Sequence, residues 1–99
     1  RPIVIVPYQL DTNDMKMWTD PAYSPAAWCD YARRCFDWLL AEGRGGNPKM
    51  MSLGLHLRII GRPGRIGAFE EFLDHVARHN DVWITTRGAI ADHARMLLA

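Results

Sequence analysis

The sequence lacks most of the features that mark specialised classes of protein. Only two of its 99 residues are cysteine, and its formal net charge of +1 at pH 7 gives no excess of positive charge for a phosphate backbone. No apolar run is long enough to cross a bilayer, and no signal peptide is visible. Basic residues do not alternate with aromatic residues in a stripe. We therefore expect at most one small domain, which binds neither nucleic acid nor a membrane.

The two cysteines, Cys29 and Cys35, lie in one predicted helix. Six helical residues separate them by about 9 Å along the axis, which is too far for a disulfide. Free or buried thiols in a reducing compartment are therefore expected, which favours the cytoplasm.

Strand and helix patterns alternate along the chain. Apolar runs predict strands at residues 3–6, 50–57 and 82–85, and helices are predicted at about 25–43, 65–79 and 87–98. The order βαβαβα predicts parallel strands joined by right-handed crossovers. Three strands cannot close a barrel, which takes roughly eight. The fold class is therefore α/β, either as a small open sheet or as the C-terminal part of a larger barrel.

Polar residues follow each predicted strand. In parallel α/β folds the carboxyl ends of the strands share one edge, where functional groups gather. Residues 85–87 follow the third strand. The main candidates for a site lie at the ends of the first two strands. Tyr8, Asp11 and Asp14 follow the first strand, and His56, Arg58 and Arg62 lie at or after the end of the second.

Each of these candidates has two interpretations. His56 is either an acid or base near neutral pH or a histidine with its bonds satisfied at a strand end. Asp11 and Asp14 either orient a partner side chain or stabilise a turn. Arg58 and Arg62 either bind a carboxylate or amide oxygen or are simply solvated.

One further pair has the spacing of a metal site. His75 and His79 form an HxxxH pattern on a predicted helix. They flank the apolar stripe without a third ligand in view, so a surface position is favoured over metal binding.

Several stretches together resemble a known family. PYQLDTNDMKMW, CFDWLLAEG and the long stretch that begins PKMMSLGLHLRIIGRPGR are similar to the C-terminal part of the polysaccharide deacetylase superfamily, of the NodB-homology, carbohydrate esterase 4-like type. The resemblance covers essentially all 99 residues. It is closest to the branch that contains the PuuE-type bacterial allantoinases.

The resemblance implies a distorted (β/α) barrel that hydrolyses a non-peptide C–N bond in N-acetylated sugars or small cyclic ureides. His56 matches the histidine of the family's last motif, which acts as general acid or positions the leaving nitrogen. Asp14, together with Asp11, matches an Asp-bearing motif that tunes the active-site groups. Tyr8 would help to line the pocket.

The family's catalytic Asp and its Asp-His-His metal site belong to an N-terminal half that these residues do not contain. His75 and His79 copy only the metal-site spacing. We therefore expect no cofactor in this segment, and any divalent metal such as zinc would be bound by the N-terminal half. Residues 1–99 would form the C-terminal portion of one deacetylase-like domain, and the start at Arg1 without Met agrees with a processed chain or a piece of a longer one.

Two hypotheses follow for function. In the first, the chain is part of a C–N hydrolase of carbohydrate or ureide metabolism, inactive alone, whose partners are a small-molecule or sugar amide substrate and the N-terminal half. In the second, it is a non-catalytic remnant or interaction module. The apolar edge at residues 3–6 also predicts a poorly soluble chain or a homo-oligomer.

Overall fold

The computed structural model describes residues 3–98, so Arg1 and Pro2, on which the expectation of a processed or longer chain rests, lie outside the described residues. This part of the chain has a 3₁₀ helix at Asp14–Met17. Four α-helices follow, and they are α1 Pro25–Arg44, α2 Leu57–Ile60, α3 Pro63–Ala77 and α4 Arg87–Leu98.

The predicted α/β fold is wrong. Residues 3–98 contain no β-strand, and residues 3–9, 47–56 and 82–86 have no regular secondary structure. Apolar β-branched residues favour a strand, but a strand exists only where a neighbour supplies a ladder of backbone hydrogen bonds. No described segment supplies such a ladder to residues 3–9. The predicted segment of a parallel βαβαβα barrel is therefore replaced by a helical arrangement.

Helix α1 begins where the sequence predicts. The Ser24 side chain accepts a hydrogen bond from the backbone N–H of Ala27 at 3.1 Å, and Pro25 occupies the first helical position. The predicted end at Gly43 is two residues early, because the cap is Gly45, whose N–H donates to the carbonyl of Ala41.

The second predicted helix, at about 65–79, is present as α3 at Pro63–Ala77, and a short helix that was not predicted precedes it. The short helix α2 occupies the end of a predicted strand and the loop after it, with His56 at its N-cap. Pro63 then starts α3 from the first helical position. The last helix, α4, has the predicted bounds, and the Thr86 hydroxyl accepts a bond from the N–H of Ala89 at 3.2 Å.

The core lies between α1 and α3 and is closed by α2 and the 3₁₀ helix. Phe36 of α1 meets Phe72 of α3 edge to face, with ring centroids 6.3 Å apart. The buried apolar residues are Met17, Trp28, Cys29, Ala32, Phe36, Ile59, Ile60, Ala68, Phe72 and Val76. Both cysteines are free, as expected.

The molecule is open for its size. Its radius of gyration is 15.0 Å, whereas about 13 Å is usual for a compact chain of this length. Helix α4 packs against none of the other described helices. Among residues 3–98 no helix has the length and apolarity that a membrane span requires.

Candidate active site

Asp14 is a fully buried carboxylate at the first residue of the 3₁₀ helix. The helix begins there because the side chain of Asn13 accepts a hydrogen bond from the N–H of Met15 at 2.9 Å. The backbone N–H of Asp14 itself donates to the carbonyl of Gly54 at 2.9 Å. Asp14 is therefore held against the segment that leads to His56.

Asp14 accepts three hydrogen bonds from α2 and its N-cap residue. Its Oδ2 accepts the backbone N–H of His56 at 2.6 Å and that of Ile60 at 3.3 Å. Its Oδ1 lies 2.6 Å from His56 Nδ1. Burial of a charge is costly unless it is paired and hydrogen-bonded, and these donors meet that need.

This geometry determines which nitrogen of His56 is available. A carboxylate only accepts hydrogen bonds, so Nδ1 has its hydrogen and donates it to Asp14. The other ring nitrogen, Nε2, has no protein partner among the described residues. The side chain of His56 is 36% exposed whereas that of Asp14 is 0% exposed. The pair is an imidazole oriented from behind by a buried carboxylate, an arrangement suited to proton transfer.

Buried polar contacts support the segment before Asp14. Thr12 is fully buried, and its hydroxyl donates to the carbonyl of Ser52 at 2.8 Å. The indole N–H of Trp28 donates to the Thr12 carbonyl at 3.0 Å. Gln9 and Ser52 exchange two further bonds. Sequence reasoning missed Thr12, Gln9 and Ser52, and the only available signal was the position of Thr12 inside the DTND turn.

Asp11 does not join Asp14 and His56 in the structure. Its carboxylate is exposed and accepts a hydrogen bond from the Tyr31 hydroxyl at 2.8 Å. That bond holds the pKa of Asp11 below its ordinary value and raises the pKa of Tyr31 above its own. Asp11 therefore connects the turn to α1, and a role in catalysis stays a prediction.

The three predicted substrate-binding residues lie on the surface. Tyr8 is 69% exposed, and the guanidinium of Arg87 lies 3.9 Å from its ring centroid. Arg58 is exposed on α2, and Arg62 is the N-cap of α3 without a side-chain capping bond. None of the three has a described hydrogen bond to Asp14 or His56 within residues 3–98, and their role stays a prediction.

The HxxxH pair is partly buried between α1 and α3. The rings of His75 and His79 both pack on Phe36, with centroid distances of 5.6 and 5.2 Å. His75 Nε2 bonds to Asp37, and His79 Nδ1 donates to the His75 carbonyl at 3.0 Å. Across residues 3–98 no cluster of three or more histidine, cysteine or acidic side chains is able to hold a metal ion.

Comparison with known proteins shows that the chain is similar to proteins that include the following three. A Schizosaccharomyces pombe protein assigned by name to the polysaccharide deacetylases is 43% identical over 90 residues, which are 90% of this chain and 28% of that protein. The crystal structure of PuuE allantoinase matches with a TM-score of 0.85 and 43% identity, over 89% of this chain and 29% of that one. A crystal structure from Pseudomonas aeruginosa PAO1, named as a probable polysaccharide deacetylase, has the same TM-score and coverage at 42% identity.

The resemblance to the polysaccharide deacetylase and PuuE allantoinase family is confirmed. The chain spans less than a third of the length of the relatives that it matches. No family model matches it. The resemblance therefore concerns a portion of the deacetylase and allantoinase proteins and not their whole length.

Proposed function

We propose that this chain is part of a hydrolase of non-peptide C–N bonds, of the deacetylase or allantoinase type, in which Asp14 orients His56 as the general acid. The observation that supports this proposal most strongly is the buried Asp14 carboxylate 2.6 Å from His56 Nδ1, on a chain 43% identical to PuuE allantoinase over 89% of its length.

The proposed step is a proton transfer to the leaving nitrogen. As the C–N bond breaks, its electron pair goes to nitrogen, and the proton on Nε2 of a doubly protonated His56 passes to that nitrogen. The leaving group departs as a neutral amine or amide, and the ring returns to neutral with Nδ1–H still bonded to Asp14. The negative charge of Asp14 stabilises the charged imidazolium before the transfer.

The base that activates water is proposed to come from outside residues 3–98. We propose that this base belongs to the remaining portion of a domain as long as those of the relatives. The same portion would hold any metal ion, since residues 3–98 contain no metal-binding cluster. The exposed guanidinium of Arg58 or Arg62 would bind the substrate carbonyl oxygen. The cytoplasm, where free Cys29 and Cys35 stay reduced, is the proposed location.

Replacement of His56 by glutamine in the full-length protein tests the proposal. Turnover of allantoin or of an N-acetylated amino sugar should fall roughly a hundred- to ten-thousand-fold, because a positioned acid–base group contributes about that much. The matched control is His93→Gln, since His93 is an exposed histidine on α4 whose ring packs on Trp83, with ring centroids 5.8 Å apart. Unchanged turnover in His56→Gln would remove His56 from the mechanism. If the unmodified full-length protein turned over neither substrate class, a non-catalytic interaction module would be favoured.

A further inference from the structure

Thr12 is a fully buried polar residue two positions before Asp14. Its hydroxyl donates to the carbonyl of Ser52 at 2.8 Å, and its own carbonyl accepts the indole N–H of Trp28 at 3.0 Å. Burial of a hydroxyl is unfavourable unless the group is hydrogen-bonded, and valine would fill the same volume without that cost. The polar side chain therefore makes a contact at this position that an apolar residue of the same shape would lose.

The contact of Thr12 with Ser52 has the same register as the contacts of Asp14. Thr12 bonds to a residue 40 positions along the chain, and the backbone N–H of Asp14 donates to Gly54, which is also 40 positions along. The carboxylate of Asp14 then contacts His56, two residues further. The two chain segments are thus joined at successive positions, and the Thr12 bond comes two residues ahead of Asp14.

Trp28 connects Thr12 to the core. The side chain of Trp28 is 1% exposed on α1, so its indole N–H is a well-fixed donor. The segments that Thr12 joins have much less regular structure, because Asp14 begins a single short 3₁₀ helix and the residues before His56 are irregular. Segments with few regular hydrogen bonds open easily. The place of Asp14 relative to His56 therefore depends on Thr12, which is bound on one side to α1 and on the other to the segment that leads to His56.

We propose that Thr12 is a positioning residue, which holds the Asp14 carboxylate against His56 Nδ1 by keeping the two segments in register. The inference rests on the proposed hydrolase function, to which it adds the residue that aligns the acid with its carboxylate. The bond of 2.6 Å between Asp14 Oδ1 and His56 Nδ1 requires a short distance and good alignment. Without the Thr12 hydroxyl, the carboxylate is no longer fixed at Nδ1, and the ring loses the contact that selects its tautomer.

The tautomer of His56 provides a readout that is independent of turnover. Long-range ¹H–¹⁵N spectra of the full-length protein, labelled with ¹⁵N-histidine in alkaline buffer, show which nitrogen of each neutral ring has the hydrogen, and His56→Gln identifies the signal. In the unmodified protein the Nδ1–H form should predominate, because Asp14 accepts that hydrogen. Thr12→Val keeps the volume and removes the hydroxyl, so this preference should be lost. Turnover of allantoin or of an N-acetylated amino sugar should also fall, by up to about a hundredfold, because small displacements of a catalytic group cost that much.

Three further variants separate positioning from packing. Thr12→Ser loses a buried methyl group and keeps the hydroxyl, so it should be less stable but retain the Nδ1–H tautomer and most of the turnover. Thr12→Ala leaves room for a water at the Ser52 carbonyl, so it should fold even where Thr12→Val does not, with the same change of tautomer. Thr19→Val is the matched control, because the Thr19 hydroxyl also donates to a backbone carbonyl, that of Met15 at 3.0 Å, but at the surface. It should change neither tautomer nor turnover.

The outcomes for Thr12 and for the proposed function are distinct. Loss of the Nδ1–H preference in Thr12→Val and Thr12→Ala, with its retention in Thr12→Ser and Thr19→Val, would support the positioning role. An unchanged tautomer in either hydroxyl-free Thr12 variant that folds, or an equal change in Thr12→Ser or Thr19→Val, would overturn that role even where His56→Gln abolishes turnover. If the tautomer changed as expected but turnover did not depend on His56, the proposed function would fail and the positioning of Asp14 by Thr12 would stand.

Discussion

At the scale of single residues, Asp14 is the group on which the candidate site depends. Its carboxylate faces the imidazole and also the backbone N–H groups of His56 and Ile60, at the N-cap and the last residue of α2. In Asp14→Asn an NH₂ group replaces one carboxylate oxygen, which removes the negative charge of the side chain and leaves its volume unchanged. We expect this substitution to reduce mainly the catalytic rate, because the imidazolium that donates the proton would no longer face an anion.

In the full-length protein, Asp14→Asn should lower turnover about a hundredfold or more, with the helical circular dichroism signal retained. Asp30→Asn is a suitable control, because Asp30 is an exposed carboxylate on α1 that pairs with the exposed Arg34. Wild-type turnover in Asp14→Asn would show that the anion does not assist His56.

The Asp11–Tyr31 bond predicts a measurable shift in titration. Because the bond lowers the pKa of Asp11 below 3.8, its stabilising effect is present above about pH 4 and is lost as the pH falls through the lowered pKa. Because the bond also raises the pKa of Tyr31 above 10.0, the same effect is lost again at high pH as the phenol ionises.

Tyr31→Phe should therefore raise the pKa of Asp11 towards its ordinary value, as followed by NMR titration of the carboxyl carbon. Tyr23→Phe is the control, since the Tyr23 ring lies 6.2 Å from that of Tyr31 but Tyr23 has no described bond to Asp11. An Asp11 titration that is the same in Tyr31→Phe and the unmodified chain would show that the phenol does not donate to Asp11 in solution.

The positions of polar residues along the sequence predicted part of the site. That Asp14 and His56 would come together was expected from their places after two predicted strands, and they do so although the strands are absent from residues 3–98. The contacts of Asp11 with Tyr31 and of Thr12 with Trp28 were not predicted, because they depend on where α1 packs rather than on spacing along the chain.

At the scale of elements, two glycines differ in the space that surrounds them for an added side chain. A Cβ at Gly54 would lie 2.3 Å from Asn13 Nδ2, and Asn13 caps the 3₁₀ helix that begins with Asp14. A Cβ at Gly67, in the middle of α3, would meet nothing within 4 Å. The same substitution should therefore have opposite effects at the two positions.

Gly67→Ala should raise the free energy of unfolding by about 0.5–1 kcal/mol, because glycine in a helix costs that much in backbone entropy. Gly54→Ala should lower it by about 1–3 kcal/mol, because Asn13 has to move and its cap is weakened. Urea denaturation of both variants measures the two changes. A gain in stability for Gly54→Ala would show that Asn13 moves without cost.

Helices were more predictable than extended segments. Helix ends have local signals, and Ser24 with Pro25, and Thr86, acted as predicted. Helix α2 was not predicted, since Asp14 supports its single turn from 46 residues away through Ile60. The prediction of strands was wrong because it was based on apolar composition, whereas a strand forms only when it makes hydrogen bonds to a neighbouring chain segment.

At the scale of the whole molecule, the chain exposes more surface than its mass requires. Its accessible area is 7236 Å², whereas about 5,700 Å² is typical for a folded chain of this mass. The excess is about twice the roughly 800 Å² that each partner buries in a standard interface. Exposed apolar side chains contribute to it near both ends, including Ile3, Ile5, Ile84, Leu97 and Leu98.

This surface predicts self-association of the 99-residue chain, or its burial against the rest of a family-length domain. In sedimentation velocity the chain should form larger species as concentration rises, and Ile5→Lys with Ile84→Lys should reduce them. Thr85→Lys, which adds the same charge at an exposed polar position, is the control. A monodisperse monomer at high concentration would contradict the prediction.

The three hydrogen bonds to Asp14 also affect how relatives of this chain should be compared. Two of the donors are backbone groups, so a descendant that had lost all activity would still need an acceptor at this position to support α2. The described side-chain contact of His56, by contrast, is with Asp14 alone. An aspartate retained at position 14 is therefore weak evidence that a homologue is an enzyme, and the more informative residue is the histidine at position 56.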